Sequence, residues 1–94
     1  MQLSTVPGKN NQHKVLMYAI STCGWCKRAK RMLNEMNVEY GYVDIDLCNN
    51  EDKEKIRADI TRRGGRLLYP TVIINDEMLL TNPTDEELRE ALGL

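Results

Sequence analysis

Nowhere in this chain of 94 residues is there an apolar run of the roughly 20 residues that a membrane-spanning helix needs. The opening segment MQLSTVPGKNNQHK also lacks the apolar centre of a secretory signal, so the expectation is a cytoplasmic protein with no membrane role. An excess of either charge is missing too: 13 basic side chains face 14 acidic ones, for a formal net charge of -1. That balance gives no bulk attraction for nucleic acid, and any charge-based recognition must be local. Cysteine is scarce, and three residues cannot all pair within one chain, which argues against a structural disulfide framework. No internal repeat is present. What remains, 41% hydrophobic and 29% charged residues, is the composition of one soluble globular domain, because two cores at this length would each be too small.

The first residues are polar and include Pro7, Gly8, Asn10 and Asn11, so residues 1–13 are expected as a flexible tail and 14–94 as the folded domain. VLMYAI, 15–20, is a continuous apolar run that suits a strand buried on both faces. Next, Cys26, Ala29, Met32, Leu33 and Met36 follow helical spacing, so a helix begins at the first two cysteines. VEYGYVDID, 38–46, reads as a second strand. Asn49 can cap a helix over 50–63 that carries Ile56 and Ile60, and Gly64-Gly65 supplies its stop. Beyond Pro70, TVIIN and EMLLT form a hairpin around an Asn75-Asp76 turn. Thr84 and Glu87 make a capping box ahead of Leu88, Ala91 and Leu92, with an end at Gly93. The order is β-α-β-α-β-β-α, an α/β fold with a four-stranded mixed sheet flanked by helices.

The C-x-x-C at the junction of the first long strand and the first helix carries the chemistry. Cys23 lies at the helix start, where unpaired amides and the helix dipole favour an anion. Only a thiolate attacks a disulfide, and such settings lower a cysteine pKa from about 8.5 to roughly 7 or below. Cys23 is therefore the expected nucleophile. Cys26, one turn deeper on the same face, is expected to resolve the mixed disulfide. Half of a zinc site is the competing reading. Tetrahedral zinc needs four ligands, however, and only Cys48, His13 and scattered carboxylates remain, so no metal site is expected. Trp25 is expected as a partly exposed, substrate-facing ring, since the first helical turn at this corner has little core to enter. Lys27, Arg28, Lys30 and Arg31 read mainly as a solvated face. Lys27 stands nearest Cys23 and is the one expected to lower its pKa or to draw in an anionic thiol. Cys48 is expected as a passive thiol, and His13 is assigned no role.

AISTCGWCKRAKRML and YPTVIIND resemble the active-site segment and the later strand of glutaredoxins, a likeness that runs from Lys14 to Leu92. The resemblance implies a thioredoxin-like fold in which the Tyr69-Pro70 bond is cis and faces the cysteines. The backbone of Tyr69 would then pair with an extended substrate segment. Two glutathione anchors of that family are altered here. The lysine common three residues before the first cysteine is Ile20, and the Gly-Gly-acid segment is represented by TNPTD, 81–85, where Thr84 and Asp85 keep polar groups at a helix start. Weak coupling to glutathione is the resulting expectation. Thioredoxin fits less well, since its buried acid would fall within VLMYAI, which contains none.

The function implied is a glutaredoxin-like protein-disulfide reductase, monomeric and needing no bound cofactor, acting through reversible Cys23-Cys26 disulfide formation. Its partners would be disulfide-bearing proteins, with electrons from glutathione, another small thiol or a flavoprotein reductase. The alternative is an iron-sulfur carrier in which Cys23 of two subunits holds a cluster, permitted by Gly24 where the family usually has proline.

Overall fold

Strand β2 (Val15–Ala19) shows why an unbroken apolar run belongs at the centre of a sheet. Val15, Met17 and Ala19 turn into one hydrophobic core and Leu16, Tyr18 and Ile20 into another, so each face of the strand is covered. The computed structural model describes residues 3–94, and Met1 and Gln2 lie outside it. Helix α1 (Gly24–Glu35) crosses from β2 to the parallel strand β3 (Tyr40–Asp44), and a 3-10 turn over Ile45–Leu47 leads to α2 (Asn50–Arg62). Strand β4 (Thr71–Ile74) pairs antiparallel with the other side of β2 and continues into β5 (Met78–Thr81). Asn75 and Asp76 make the intervening turn with φ of 55° and 57°, the left-handed geometry that matches strand twist in a two-residue hairpin. Helix α3 (Asp85–Leu92) closes the chain.

The helices divide between the faces. Cys26, Ala29, Met32 and Leu33 of α1 and Leu88 and Leu92 of α3 fill the first core, while Ile56 and Ile60 of α2 pack on Tyr18, Val43 and Ile73 in the second. Their ends are satisfied as their residues suggest: the Asn49 side chain accepts from the Asp52 amide at 2.8 Å, and Thr84 and Glu87 form a reciprocal capping box. Gly93 ends α3 with φ of 70°, where any side chain would be strained. Helix α2 is also held by a polar chain. The Tyr18 hydroxyl donates to Asp59 at 2.7 Å, Arg63 Nε donates to the same carboxylate at 3.0 Å, and another Arg63 nitrogen reaches the Asp76 carbonyl at 2.6 Å. That chain ties α2 to β2 and to the hairpin turn.

The expected four-stranded sheet has a fifth member. Ser4–Val6 forms β1, which pairs antiparallel with β3 and gives the order β1-β3-β2-β4-β5. Within the described residues, the loose tail expected over 1–13 is therefore corrected. Asn10 donates through its amide to the Asn37 carbonyl at 2.9 Å and through its side chain to the Met36 carbonyl at 2.7 Å, while its own carbonyl accepts from Glu39 at 3.0 Å. A three-residue strand has no alternation to read, and its docking depends on two glycines. Gly41 leaves the room that Leu3 occupies, since a Cβ there would lie 2.9 Å from Leu3 Cδ1, and Gly8 permits backbone contact with residues 37–39. Among the described residues, no helix is long and apolar enough to cross a membrane.

Leu33 is fully buried in the first core, whereas Leu47 is 73% exposed. Leu33→Ala is expected to lower unfolding free energy in a urea titration by about 2–5 kcal/mol, and Leu47→Ala by under about 0.5 kcal/mol.

Candidate active site

The sulfur of Cys23 takes the place of the oxygen that usually caps a helix. Cys23 is the N-cap of α1, with an extended backbone at φ -86° and ψ 121°, and its Sγ accepts from the Cys26 amide at 3.3 Å. The residue is partly exposed and its thiol faces the Tyr69 carbonyl at 3.9 Å, next to the cis Tyr69-Pro70 bond. Gly24, beside it, has open space where a side chain would stand. Cys26 lies one turn inward and is buried, and its Sγ accepts from the Ile20 amide at 3.5 Å. Both thiols are free, as is that of Cys48.

These surroundings push the two thiols apart. Burial raises Cys23, but hydrogen bonds from the Cys26 thiol and from the Cys26 and Trp25 amides outweigh it and hold the pKa below a cysteine's ordinary value. For Cys26, burial acts first and the hydrogen bond with Cys23 second. Together with the Cys23 charge they push it up to about 12 against the opposing Ile20 amide and Lys30. Hydrogen bonds, rather than the charge of Lys27, thus account for the lowered Cys23. Lys30 also leaves the solvated face on which the sequence placed it. Its ammonium lies 3.5 Å from Asp44 and 3.9 Å from the centre of the Tyr42 ring, and only about a fifth of the side chain is exposed.

Two open grooves are lined by neighbours of Cys23. One is lined by Gly24, Trp25, Lys27, Arg28 and Arg31; Trp25 is 58% exposed there, as expected, with the Arg28 guanidinium 5.5 Å from its ring centre. The other is lined by Ile20, Ile45, Asp46, Lys53, Arg57, Leu67 and Tyr69. Lys53, Arg57 and Leu67 were not singled out from the sequence. Their signal was a pair of cations one turn apart on α2, which lacks meaning until α2 is known to pack beside Ile20 and Tyr69. Thr84 and Asp85 are engaged elsewhere: Thr84 closes the α3 cap with both its amide and its hydroxyl, and Asp85 pairs with Arg89 at 2.6 Å. Neither lines the two grooves. Cys48 turns its thiol to the Asp44 carbonyl at 3.6 Å beside a separate cavity of about 390 Å³, and the His13 ring accepts from Asn75 at 2.9 Å.

The chain as a whole is similar to known proteins. The sequence profile of the Glutaredoxin family matches residues 15–79. The chain belongs to the glutaredoxin family. It is 34% identical to a glutaredoxin from Methanosarcina mazei Go1 of known crystal structure, with a TM-score of 0.89 over 100% of this chain and 90% of that one. Methanosarcina acetivorans methanoredoxin is 36% identical, with a TM-score of 0.83 over 89% and 88% of the two chains. Glutaredoxin 1 of Rickettsia conorii is 31% identical over 64 residues, which are 68% of this chain and 60% of that protein. The chain thus spans somewhat under two thirds of that glutaredoxin's length. The thioredoxin-like class expected from the sequence holds, with one more strand than foreseen.

Iodoacetamide should modify Cys23 first, with a midpoint below the ordinary thiol value of about 8.5, because its thiolate fraction rises as pH passes a lowered pKa. Cys26 should stay unreactive until far more alkaline pH. Cys26→Ala removes one donor to the Cys23 sulfur and should move the Cys23 midpoint upward. Faster labelling of Cys26 or Cys48 than of Cys23 at neutral pH would overturn the assignment.

Proposed function

We propose that this glutaredoxin reduces disulfides through a two-cysteine exchange. The carrying observation is a partly exposed Cys23 that caps α1 and accepts the amide of a buried Cys26. The Cys23 thiolate attacks one sulfur of the substrate disulfide, a mixed disulfide forms, and the other substrate sulfur leaves as a thiolate that takes a proton. Cys26 then gives up its proton and attacks the Cys23 sulfur. The second substrate thiol departs and a Cys23-Cys26 disulfide remains. The substrate has gained two electrons from the dithiol and two protons, one released by Cys26 and one taken from solvent.

Capture of Cys23 also prepares the second step. Its hydrogen bond to Cys26 and its negative charge both raise the Cys26 pKa, and both are lost once the Cys23 sulfur is in a mixed disulfide. Burial remains, so Cys26 becomes easier to ionise without becoming a free surface thiol. Protein disulfides are the substrates in this reading, laid across the Tyr69 carbonyl and Trp25, with Lys27 close by. Glutathione, another small thiol or a flavoprotein reductase returns the electrons. A single subunit suffices, and a reducing compartment such as the cytoplasm suits a dithiol of this kind. No observation favours the cluster-carrying alternative.

For an anionic small thiol the second groove revises the expectation from Ile20. The cation missing at Ile20 is offset chiefly by Lys53, which lines the same groove from α2, and in part by Arg57, which lines it while also paired with Glu54. A carboxylate there would gain charge-assisted hydrogen bonds.

In trapping assays, Cys23→Ser should abolish turnover, and Cys26→Ser should accumulate a mixed disulfide visible as a mass increase. With glutathione as donor, Lys53→Gln combined with Arg57→Gln should cut the rate by about tenfold, since charged hydrogen bonds contribute about 1.5–3 kcal/mol each and exposure weakens them. Ile20→Lys should give the smaller change, a gain. A double variant as fast as the wild type would remove the assignment of this groove.

A further inference from the structure

We propose that the outward face of α1 is a docking surface for an acidic polypeptide segment of the disulfide-bearing substrate, recognised by Lys27, Arg28 and Arg31 around Trp25. This deepens the dithiol reading above and rests on it.

Most cations of this chain are neutralised locally. Lys14, Lys30, Lys55, Arg57, Arg62, Arg63 and Arg89 each have a carboxylate within ion-pair distance. Among the described residues the other six have none: Lys9, Lys53 and Arg66 are scattered, whereas Lys27, Arg28 and Arg31 stand together, and the open groove of about 500 Å³ that these three line with Gly24 and Trp25 contains no acid. A net charge of -1 for the whole chain thus conceals three uncompensated positive charges beside the nucleophile.

The arrangement runs against local helix preferences. Lys27 and Arg31 are four residues apart and Arg28 and Arg31 three, spacings at which like charges repel and destabilise a helix. All three also lie in the first eight positions of α1, whose first turn has no acid although the dipole there favours one. An anion bound on this face would relieve both repulsions. Trp25 supplies the contact area: it is 58% exposed, with the Arg28 guanidinium 5.5 Å from its ring centre, and Trp and Arg are the side chains that dominate protein interfaces when covered. A short acidic segment is the matching occupant. A long polyanion would meet the remaining surface, where the negative charges outnumber the positive.

The test uses the fully reduced protein and two synthetic peptides with the same internal disulfide, one flanked by glutamates and the other by lysines. Single-turnover reduction of each is followed after acid quenching, the peptide gaining two electrons and two protons as Cys23 and Cys26 form their disulfide. The glutamate peptide should react about tenfold faster at low ionic strength, as expected for a few exposed charge pairs acting together. The preference should approach unity near 1 M salt, where the screening length falls to about 3 Å. Arg28→Glu with Arg31→Glu should reverse it, and Arg28→Gln with Arg31→Gln should abolish it if the reversal disturbs folding. Equal rates for both peptides at low salt overturn the docking surface and leave the dithiol reading intact. A preference that survives the charge variants overturns it as well, whereas failure to reduce either peptide removes both.

Discussion

The chemistry proposed for this protein depends on one substitution of sulfur for oxygen at a helix start. Serine, threonine, aspartate or asparagine normally receives the unpaired amides of the first turn, and here the acceptor is Cys23. A thiolate accepts those hydrogen bonds better than a thiol does, so the stabilisation of the helix end and the lowering of the Cys23 pKa are one interaction. The same contact comes from the Cys26 amide, which means that the spacing of the two cysteines sets both the partner sulfur and part of the nucleophile's ionisation. A residue with a longer side chain at 23, or one more residue between the cysteines, would alter all of these together.

The sheet supplies the rigidity that this contact needs. Val15, Met17 and Ala19 anchor the underside of α1 through the first core, and the strand ends just before Ile20, whose amide reaches the Cys26 sulfur. β4 brings Tyr69 to the other side from a distant part of the chain. The reactive pair is therefore held between a strand end, a helix start and the approach to a second strand, each fixed by burial elsewhere. The Tyr18, Asp59 and Arg63 chain extends the same logic to α2. It holds on the sheet the helix that carries Lys53 and Arg57 to the groove beside Ile20.

What could be read from the residues follows from how local each determinant is. The caps at Asn49 and Thr84, the Asn75-Asp76 turn, the double-faced burial of β2 and the placing of Cys23 at a helix start all depend on neighbours within a few positions, and all are present. β1 was missed because its information lies in room left for other residues, at Gly41 far along the chain and at Gly8, whose contacts are with residues 37–39. Lys30 was placed with the solvated cations because helical spacing alone cannot show that Asp44 and Tyr42 stand beside it on β3. The groove cations Lys53 and Arg57 were invisible for the same reason. Their meaning is created by packing α2 next to Ile20 and Tyr69.

Lys30 shows how such a long-range placement reaches the chemistry. It sits one turn beyond Cys26 on α1, held by Asp44 and by the face of Tyr42, and its charge lowers the pKa of a thiol that burial otherwise raises. Before substrate arrives, burial and the nearby Cys23 dominate, and Cys26 stays protonated as a donor to the nucleophile. In the proposed exchange, capture of Cys23 ends the opposition from that sulfur, while Lys30 and the Ile20 amide still favour a Cys26 thiolate. A fixed set of neighbours can in this way support a protonated Cys26 in one step and an ionised one in the next, because the group that changes between the steps is Cys23 itself.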